Sequence, residues 1–358
     1  MRVIKVKSRI RNYSVIFGNF KSFLDEIIKK EGELACYIID KKVWDLYKDS
    51  YFKRLDISRV ILVKAVEFNK SLKAVMGLYD ALIERSAKRN IVLVSIGGGI
   101  VQDVSGFLAS TIYRGVKWIY VPTTLLAQAD SCIGGKTSLN YKDYKNLIGT
   151  FYPPNYIFID VNFIYTQKEL DFYSGIGEIV KLHIMGGIKY LKAISEYLPS
   201  VIGKQKNYLF KAIYNSLLIK KDYIEEDEFD GGRRNLLNYG HCFGHALETT
   251  SNFKIPHGQA IVIGMMLANI VSRERGLLSS KLENKLFNEL LSLILFVKSK
   301  EYLLKEMDII LSMKKDKKRI GAKLPLIIIK DGFCANKVTD LDEKEVKFAL
   351  RELALRIK

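Results

Sequence analysis

Ile91-Val-Leu-Val-Ser-Ile96 runs directly into Gly97-Gly-Gly-Ile-Val-Gln-Asp103, and this join decides the fold of the first half of the chain. The apolar run has the length of a strand, is rich in β-branched residues and lacks polar alternation, as expected of a strand covered on both faces. The glycines mark a tight turn into a helix, where backbone N–H groups and the helix N-terminus favour a phosphate. The spacing Gly97-x-Gly99-x-x-Gln102 lacks the third glycine of the dinucleotide fingerprint. Alone the loop is therefore a weak signal, and a plain strand-to-helix turn is the competing reading. Its place directly after a hydrophobic strand favours the cofactor reading. Glu67, with Lys70 behind it, lies on the preceding connection, where a ribose-binding carboxylate is expected.

Similar runs flank this join: Ala35-Cys-Tyr-Ile-Ile-Asp40, Val60-Ile-Leu-Val63, Trp118-Ile-Tyr-Val121 and Tyr156-Ile-Phe-Ile159. Between them lie helical patterns such as Ser71–Lys88, with Leu72, Val75, Met76, Tyr79 and Leu82 at three- and four-residue steps. Strand and helix in alternation predict a right-handed parallel α/β sheet. After Asp160 the periodicity turns helical, over Glu169–Met185, Tyr208–Glu225, Leu236–Thr250, Gln259–Arg275 and Asn284–Phe296. One late run, Leu324–Lys330, reads as a strand that returns to the sheet or forms a hairpin. The expected organisation is an α/β domain over 1–165 and a helical domain over 166–358, joined without a Gly/Ser-rich linker and packed around a cleft.

Hydrophobic residues make up 48% of the 358 positions, which excludes bulk disorder. Lysine and arginine total 57 against 39 acidic residues, a net charge of +18, which points to nucleic acid or to a small polyanionic substrate. The densest basic run, Lys314-Lys-Asp-Lys-Lys-Arg319, has no aromatic interleaving and no nucleic-acid module around it. It reads as a solvated or substrate-covering loop, so no nucleic-acid partner is expected. No apolar stretch approaches the ~18–20 residues of a membrane span, so no membrane partner is expected. Cys36, Cys132, Cys242 and Cys334 show no metal or redox spacing. With no signal-peptide pattern, they are expected to be reduced thiols in a cytoplasmic protein.

Three of the four histidines fall between positions 241 and 257. His241-Cys-Phe-Gly-His245 puts two imidazoles on one helix face, and His257 follows in Ile255-Pro-His-Gly258. Glu178 and Lys181 lie on another apolar helix, in Gly177-Glu-Ile-Val-Lys181. One Glu with two His is a recurrent set for catalytic zinc. Such clustering in a histidine-poor chain favours metal or catalytic use over ordinary core histidines. Spacing leaves open which of His241 and His245 ligates, and Glu178 is not singled out by it.

Several cations occupy awkward places: Lys136 in Gly134-Gly-Lys-Thr137, Arg114 before Gly115, Lys181 in its apolar helix, and Lys220 and Arg234 on either side of the acidic stretch Glu225–Asp230. With Asn146 and Asn238 they are expected to form an anion pocket, Arg suiting a carboxylate and Lys a phosphate. Gly135-Lys-Thr137 lacks the upstream spacing of a P-loop.

These residues together resemble the dehydroquinate synthase family of sugar phosphate cyclases. The resemblance rests on Gly97-Gly-Gly-x-x-x-Asp103, Tyr113-Arg-Gly115, Val121-Pro-Thr-Thr-Leu-Leu-Ala127 and Asp130-Ser-Cys-Ile-Gly-Gly-Lys136. It continues through Lys145-Asn-x-Ile-Gly149, Glu178-Ile-Val-Lys181, Arg234–Glu248 and His257-Gly258, from about Glu67 to Lys318. It implies a Rossmann-like NAD-binding domain followed by a helical metal-binding domain. The implied metal ligands are Glu178, His241 and His257, holding zinc or cobalt. NAD+ would rest on Glu67, Lys70, Gly97, Gly98, Gly99, Asp103, Thr123, Thr124, Lys136, Lys145 and Thr166. Lys136, Lys181, Lys220 and His245 would serve catalysis. Arg114, Asp130, Asn146, Arg234, Asn238 and one lysine of the Lys317–Lys318 pair, taken as Lys318, would contact substrate. The resemblance further implies a homodimer in which Arg114 reaches the neighbour's site.

The activity it implies is conversion of a seven-carbon keto acid phosphate, 3-deoxy-D-arabino-heptulosonate 7-phosphate, to 3-dehydroquinate and phosphate. The implied steps are transient oxidation by NAD+, phosphate elimination, re-reduction and intramolecular aldol closure. The chain departs from the family pattern at Gln102, where glycine is usual, at Leu182-His183-Ile184, and at Cys132 and Cys242. The alternatives are a cyclase acting on another phosphorylated sugar and a metal-dependent polyol dehydrogenase.

Overall fold

The structure is a computed structural model that describes residues 2–142, 144–315 and 324–357. The chain forms two compact units, Met1–Thr166 with Lys220–Phe229, and Gln167–Ile219 with Asp230–Lys358.

The first unit is built on a sheet of seven strands in the order β1-β2-β9-β6-β5-β3-β4. They are β1 (Arg2–Val6), β2 (Tyr13–Phe17), β3 (Ala35–Asp40), β4 (Val60–Val63), β5 (Val92–Gly97), β6 (Lys117–Pro122) and β9 (Tyr156–Ile159). Every pairing is parallel except β1 with β2. The five apolar runs read from the sequence are β3, β4, β5, β6 and β9. The antiparallel edge strand was not expected: β1 is a short run broken by Lys5, with only Ile4 and Val6 buried, and burial alternates along β2. Behind one face of the sheet, Tyr37, Ile39, Val94, Ile96, Ile119 and Val121 pack with Phe20, Phe23 and Phe163. Burial of each such side chain stabilises the fold by about 1.5–3 kcal/mol.

Four helices accompany these strands: α1 (Phe20–Glu31), α2 (Lys41–Tyr47), α3 (Leu72–Glu84) and α4 (Gly99–Thr111). A separate antiparallel hairpin, β7 (Lys136–Tyr141) with β8 (Tyr144–Phe151), follows. The sheet's order reverses between β3 and β5, since β3 leads outward to β4 and β5 leads the other way to β6. Asp40 and Gly97 end the two strands at this point, where open α/β sheets bind ligands.

The second unit is mainly helical. It holds α5 (Glu169–Met185), α6 (Ile188–Ile202), the first part of α7 (Lys206–Glu226), α8 (His241–Thr250) and α9 (His257–Glu274). All but a few residues of α9 are buried, which makes it the axis of this unit. The late apolar run, β10 (Leu324–Lys330), pairs with β11 (Cys334–Leu341) as a hairpin and does not join the large sheet. The units divide the chain less simply than one boundary after residue 165 would. Lys220–Phe229 clusters with the first unit because Lys220 meets Asp130, Glu225 accepts from the Lys7 N–H, and Glu228 accepts from the Arg9 N–H. Among the described residues no helix is long and apolar enough to cross a membrane.

Candidate active site

In the first unit the glycine turn sits as the sequence suggests, at the end of β5. Gly98 is the N-cap of α4 and offers no side-chain cap, so the first N–H groups of the helix are left for another acceptor. A Cβ on Gly98 would come within 2.9 Å of the Thr124 methyl group. The Thr123 N–H bonds the Gly97 carbonyl at 3.0 Å. Gly97, Gly98, Gly99, Thr123 and Thr124 thus form one bare backbone cradle, which suits a pyrophosphate.

A second polar cluster joins α4 to the β7–β8 hairpin. Lys70 Nζ lies 2.6 Å from Asp103 Oδ2 and also donates to Asn146 Oδ1. Asp103 accepts from the Ser138 N–H, while Asn140 donates to Glu67 and Lys145 stands 3.9 Å from the same carboxylate. Burial raises the pKa of Asp103, against the pull of the Lys70 ammonium. Asn146, which the resemblance implies as a substrate contact, is held here among the implied cofactor residues. Thr166 lies elsewhere, hydrogen-bonded to Tyr47 on α2.

Asp130 belongs to a π-helical turn, Ala127–Ser131, a shape frequent at functional sites. Lys220 reaches it twice, with Nζ 2.9 Å from Oδ1 and donating to the backbone carbonyl at 2.8 Å. Lys136 begins β7 and is exposed. Arg114 is exposed on a left-handed corner, where Tyr113, Arg114 and Gly115 all have positive φ (50°, 63° and 118°). Two adjacent non-glycine residues in that region cost roughly 1–2 kcal/mol each, strain of a kind that clusters at functional sites.

In the second unit, one ligand atom each of Glu178, His241 and His257 fall within 4.8 Å of one another. Close backbone contact brings them there. A Cβ on Gly177 would lie 2.5 Å from the Gly258 carbonyl, and one on Gly258 would lie 1.9 Å from that of Ser174. Only glycine lets α5 and α9 touch beside Glu178 and His257. His245, Glu248 and His257 form a second such group.

Hydrogen bonding separates the two groups. His257 donates its Nδ1 hydrogen to Glu248 Oε2 at 3.0 Å, and His241 donates Nδ1 to the Tyr239 carbonyl at 3.2 Å. In the neutral form of each ring this leaves Nε2 as the atom with the lone pair. Glu248 is already engaged. The Glu178 carboxylate, 1% exposed, makes no hydrogen bond of proper geometry among the described residues. It lies 2.5 Å from Lys181 Nζ and 3.4 Å from His257 Nε2.

Burial alone would raise the pKa of Glu178, but Lys181, His257 and His241 hold it well below the ordinary range. Burial also lowers His241, with help from Lys181. His257 is disfavoured as a cation by burial, yet Glu248 and Glu178 on its two sides push it up to about 10. A buried carboxylate, ionised beside Lys181 and facing two oriented imidazoles, is a donor set for a divalent cation such as zinc.

Arg234 and Asn238 lie on the short 3₁₀ helix Arg233–Asn238 before α8, Arg234 with 4% exposure. Asn235, donating to the Asp230 carbonyl and carboxylate, fixes the start of that helix. Lys317 and Lys318, implied at a phosphate, lie outside the described residues.

Residues 60–174 match the family model described as 3-dehydroquinate synthase N-terminal, and residues 175–319 match its C-terminal counterpart. The chain belongs to the 3-dehydroquinate synthase family. The 3-dehydroquinate synthase of Dictyoglomus thermophilum is 35% identical over 356 residues, 98% of each chain. That of Clostridium tetani is 41% identical over 274 residues, 75% of this chain and 73% of the relative. In fold, the chain resembles 2-deoxy-scyllo-inosose synthase complexed with carbaglucose-6-phosphate, NAD+ and Co2+, with a TM-score of 0.86, 24% identity, and 98% and 100% coverage of the two chains. It resembles a probable glycerol dehydrogenase from Sinorhizobium meliloti less closely, with a TM-score of 0.59 and 15% identity over 96% of each chain.

Against the family pattern, two residues stand out that sequence reading passed over. Glu248 lies on α8 seven residues beyond His241, on the same helix face, and that spacing was the available signal. Asp40 ends β3 at the reversal of the sheet, and only strand order reveals its proximity to the glycine turn. Departures from the family's usual residues are structurally absorbed. His183 is fully buried, bonded to the Ile179 carbonyl and the Tyr197 hydroxyl. Cys132 is buried, which raises its thiol pKa to about 12.

Proposed function

We propose that this chain is a 3-dehydroquinate synthase that converts 3-deoxy-D-arabino-heptulosonate 7-phosphate to 3-dehydroquinate and phosphate. The observation that carries the reading is the buried Glu178 carboxylate facing two imidazoles whose Nδ1 hydrogens are already bonded, in a chain of this family. In this reading the first unit binds NAD+ through Gly97, Gly98, Gly99, Thr123 and Thr124, with Glu67, Lys70, Asp103, Lys145 and, from beside Tyr47, Thr166 as further contacts. The second unit binds a divalent ion, zinc or cobalt, through Glu178, His241 and His257. When bound, NAD+ supplies a reversible hydride acceptor and the divalent ion a Lewis acid for an alcohol.

The protein's own residues bind and orient. Arg234 presents a planar fork to the substrate carboxylate, with Asn238 beside it in sequence. Lys181 compensates the charge of Glu178 and keeps that carboxylate ionised. Asp130 and Lys220, already paired, offer an acceptor and a donor to substrate hydroxyls. His245, one turn beyond His241, is the group that moves a proton at a hydroxyl. Lys136 and Lys318 supply charge for the phosphate. We further read the protein as a cytoplasmic homodimer whose strained corner directs Arg114 to the partner's site.

Purified protein given the heptulosonate phosphate and NAD+ should release phosphate in step with a carbocyclic product, with no net NADH. Accumulating NADH on an unphosphorylated alcohol would instead identify a polyol dehydrogenase. Turnover only on a sugar phosphate without a carboxylate would identify another cyclase.

A further inference from the structure

Gln102 replaces the glycine that the dinucleotide fingerprint calls for, and its side chain is 4% exposed. Both ends of its amide are directed at one residue. Nε2 donates to the Ser131 carbonyl at 2.7 Å, and Oε1 accepts from the Ser131 hydroxyl at 2.7 Å. Ser131 closes the π-helical turn that carries Asp130, and Asp130 is the partner of Lys220. A π turn is wider and less well bonded than an α turn, so it needs restraint from outside. Gln128 supplies one, donating to the Pro122 and Asp160 carbonyls from within the protein. Gln102 supplies the other, from the first turn of α4.

We propose that Gln102 is a positioning residue that ties the Asp130–Lys220 pair to the N-terminal turn of the cofactor helix. This rests on the reading above, in which that pair contacts substrate. A glycine at position 102 cannot make the tether, so the chain has exchanged a bare helix for a two-point clamp. The side-chain amide bonds Ser131, whose hydroxyl also borders Gly99, and makes no hydrogen bond of its own to the glycines, so its main effect falls on the substrate pair.

The test is Gln102→Met, which keeps the length of the side chain and loses both hydrogen bonds, with Gln102→Asn as a second variant that shortens the same amide. Labelling of Lys220 by an amine-reactive reagent, read by mass spectrometry against Lys117 as internal reference, should rise severalfold. The KM for the heptulosonate phosphate should rise about tenfold, the equivalent of one buried hydrogen bond, while NAD+ affinity stays unchanged. A lower melting temperature with Lys220 labelling and KM unchanged would make Gln102 a packing residue and overturn the proposal. Weaker NAD+ binding with the Lys220 pair undisturbed would overturn it as well. Should the wild-type protein turn over no such phosphate, the reaction reading fails, and the Lys220 labelling still decides whether the tether exists.

Discussion

His257 gives its Nδ1 hydrogen to Glu248 across 3.0 Å, so the ring is held with Nε2 turned towards Glu178. Carboxylates that orient metal-binding histidines in this way are typically worth 10–100-fold in metal affinity, an order-of-magnitude figure. Glu248→Ala should therefore weaken zinc binding by roughly that factor in chelator competition. Glu248→Gln, which still accepts the Nδ1 hydrogen, should weaken it much less. Equal affinity in all three proteins would show that the ring orients itself.

Glu178→Gln should abolish stoichiometric metal binding, and the structure adds a consequence for stability. Lys181 is buried with its ammonium 2.5 Å from the Glu178 carboxylate. Losing one member of a buried pair costs about 3–5 kcal/mol, because the other charge is left uncompensated. Adding Lys181→Met to Glu178→Gln should recover most of that loss in denaturant unfolding while metal stays absent. A double variant no more stable than the single one would refute the account.

Arg234→Ala should raise the KM for a carboxylate-bearing sugar phosphate by about 10- to 100-fold, the range for losing hydrogen bonds between charged groups. The dissociation constant of a neutral sugar phosphate should change little. Equal losses for both ligands would count against Arg234 as the carboxylate's partner and in favour of a different cyclase substrate.

His183 supplies a pH dependence that is independent of the ligand group. Burial depresses its pKa from 6.5 to about 4, and the groups facing it are the Ile179 carbonyl, Tyr197 and Tyr190. Lys211, with its ammonium over the Tyr197 ring, adds no anion to favour a cation there. A histidine held neutral when folded binds its proton only when unfolded over this window. Its stabilising effect is thus complete above pH 6.5 and lost as pH falls towards 4. The loss amounts to about 3 kcal/mol. His183→Gln, which can still hydrogen-bond Tyr197, should flatten this part of the stability profile in urea titrations. An unchanged acid slope would mean that other groups set it.

The apolar runs at Ala35–Asp40, Val60–Val63, Trp118–Val121 and Tyr156–Ile159 announce their strands because burial on both faces leaves no polar residue in them. β7 and β8 were illegible for the opposite reason, since nearly all of their residues are exposed or only partly buried and carry no long apolar run. The helix of Glu169–Met185 was readable to its ends, whereas the stretch from Leu236 divides into a 3₁₀ turn and α8 beginning at His241. Composition and spacing likewise brought out the clustered histidines, the buried cations and the glycine turn.

Sequence by itself determined the two classes of architecture, the family and the list of residues able to carry charge or bind a metal, because periodicity and residue type are local properties. Tertiary structure set His241 beside Glu178 as the resemblance implied, attached Lys220 to Asp130 across ninety positions of chain, and bonded Glu248 to His257 and Gln102 to Ser131. Those relations depend on which backbones touch, as at Gly177 and Gly258, and on which hydrogen-bonding atoms are already taken. Neither is a property of any single stretch of sequence.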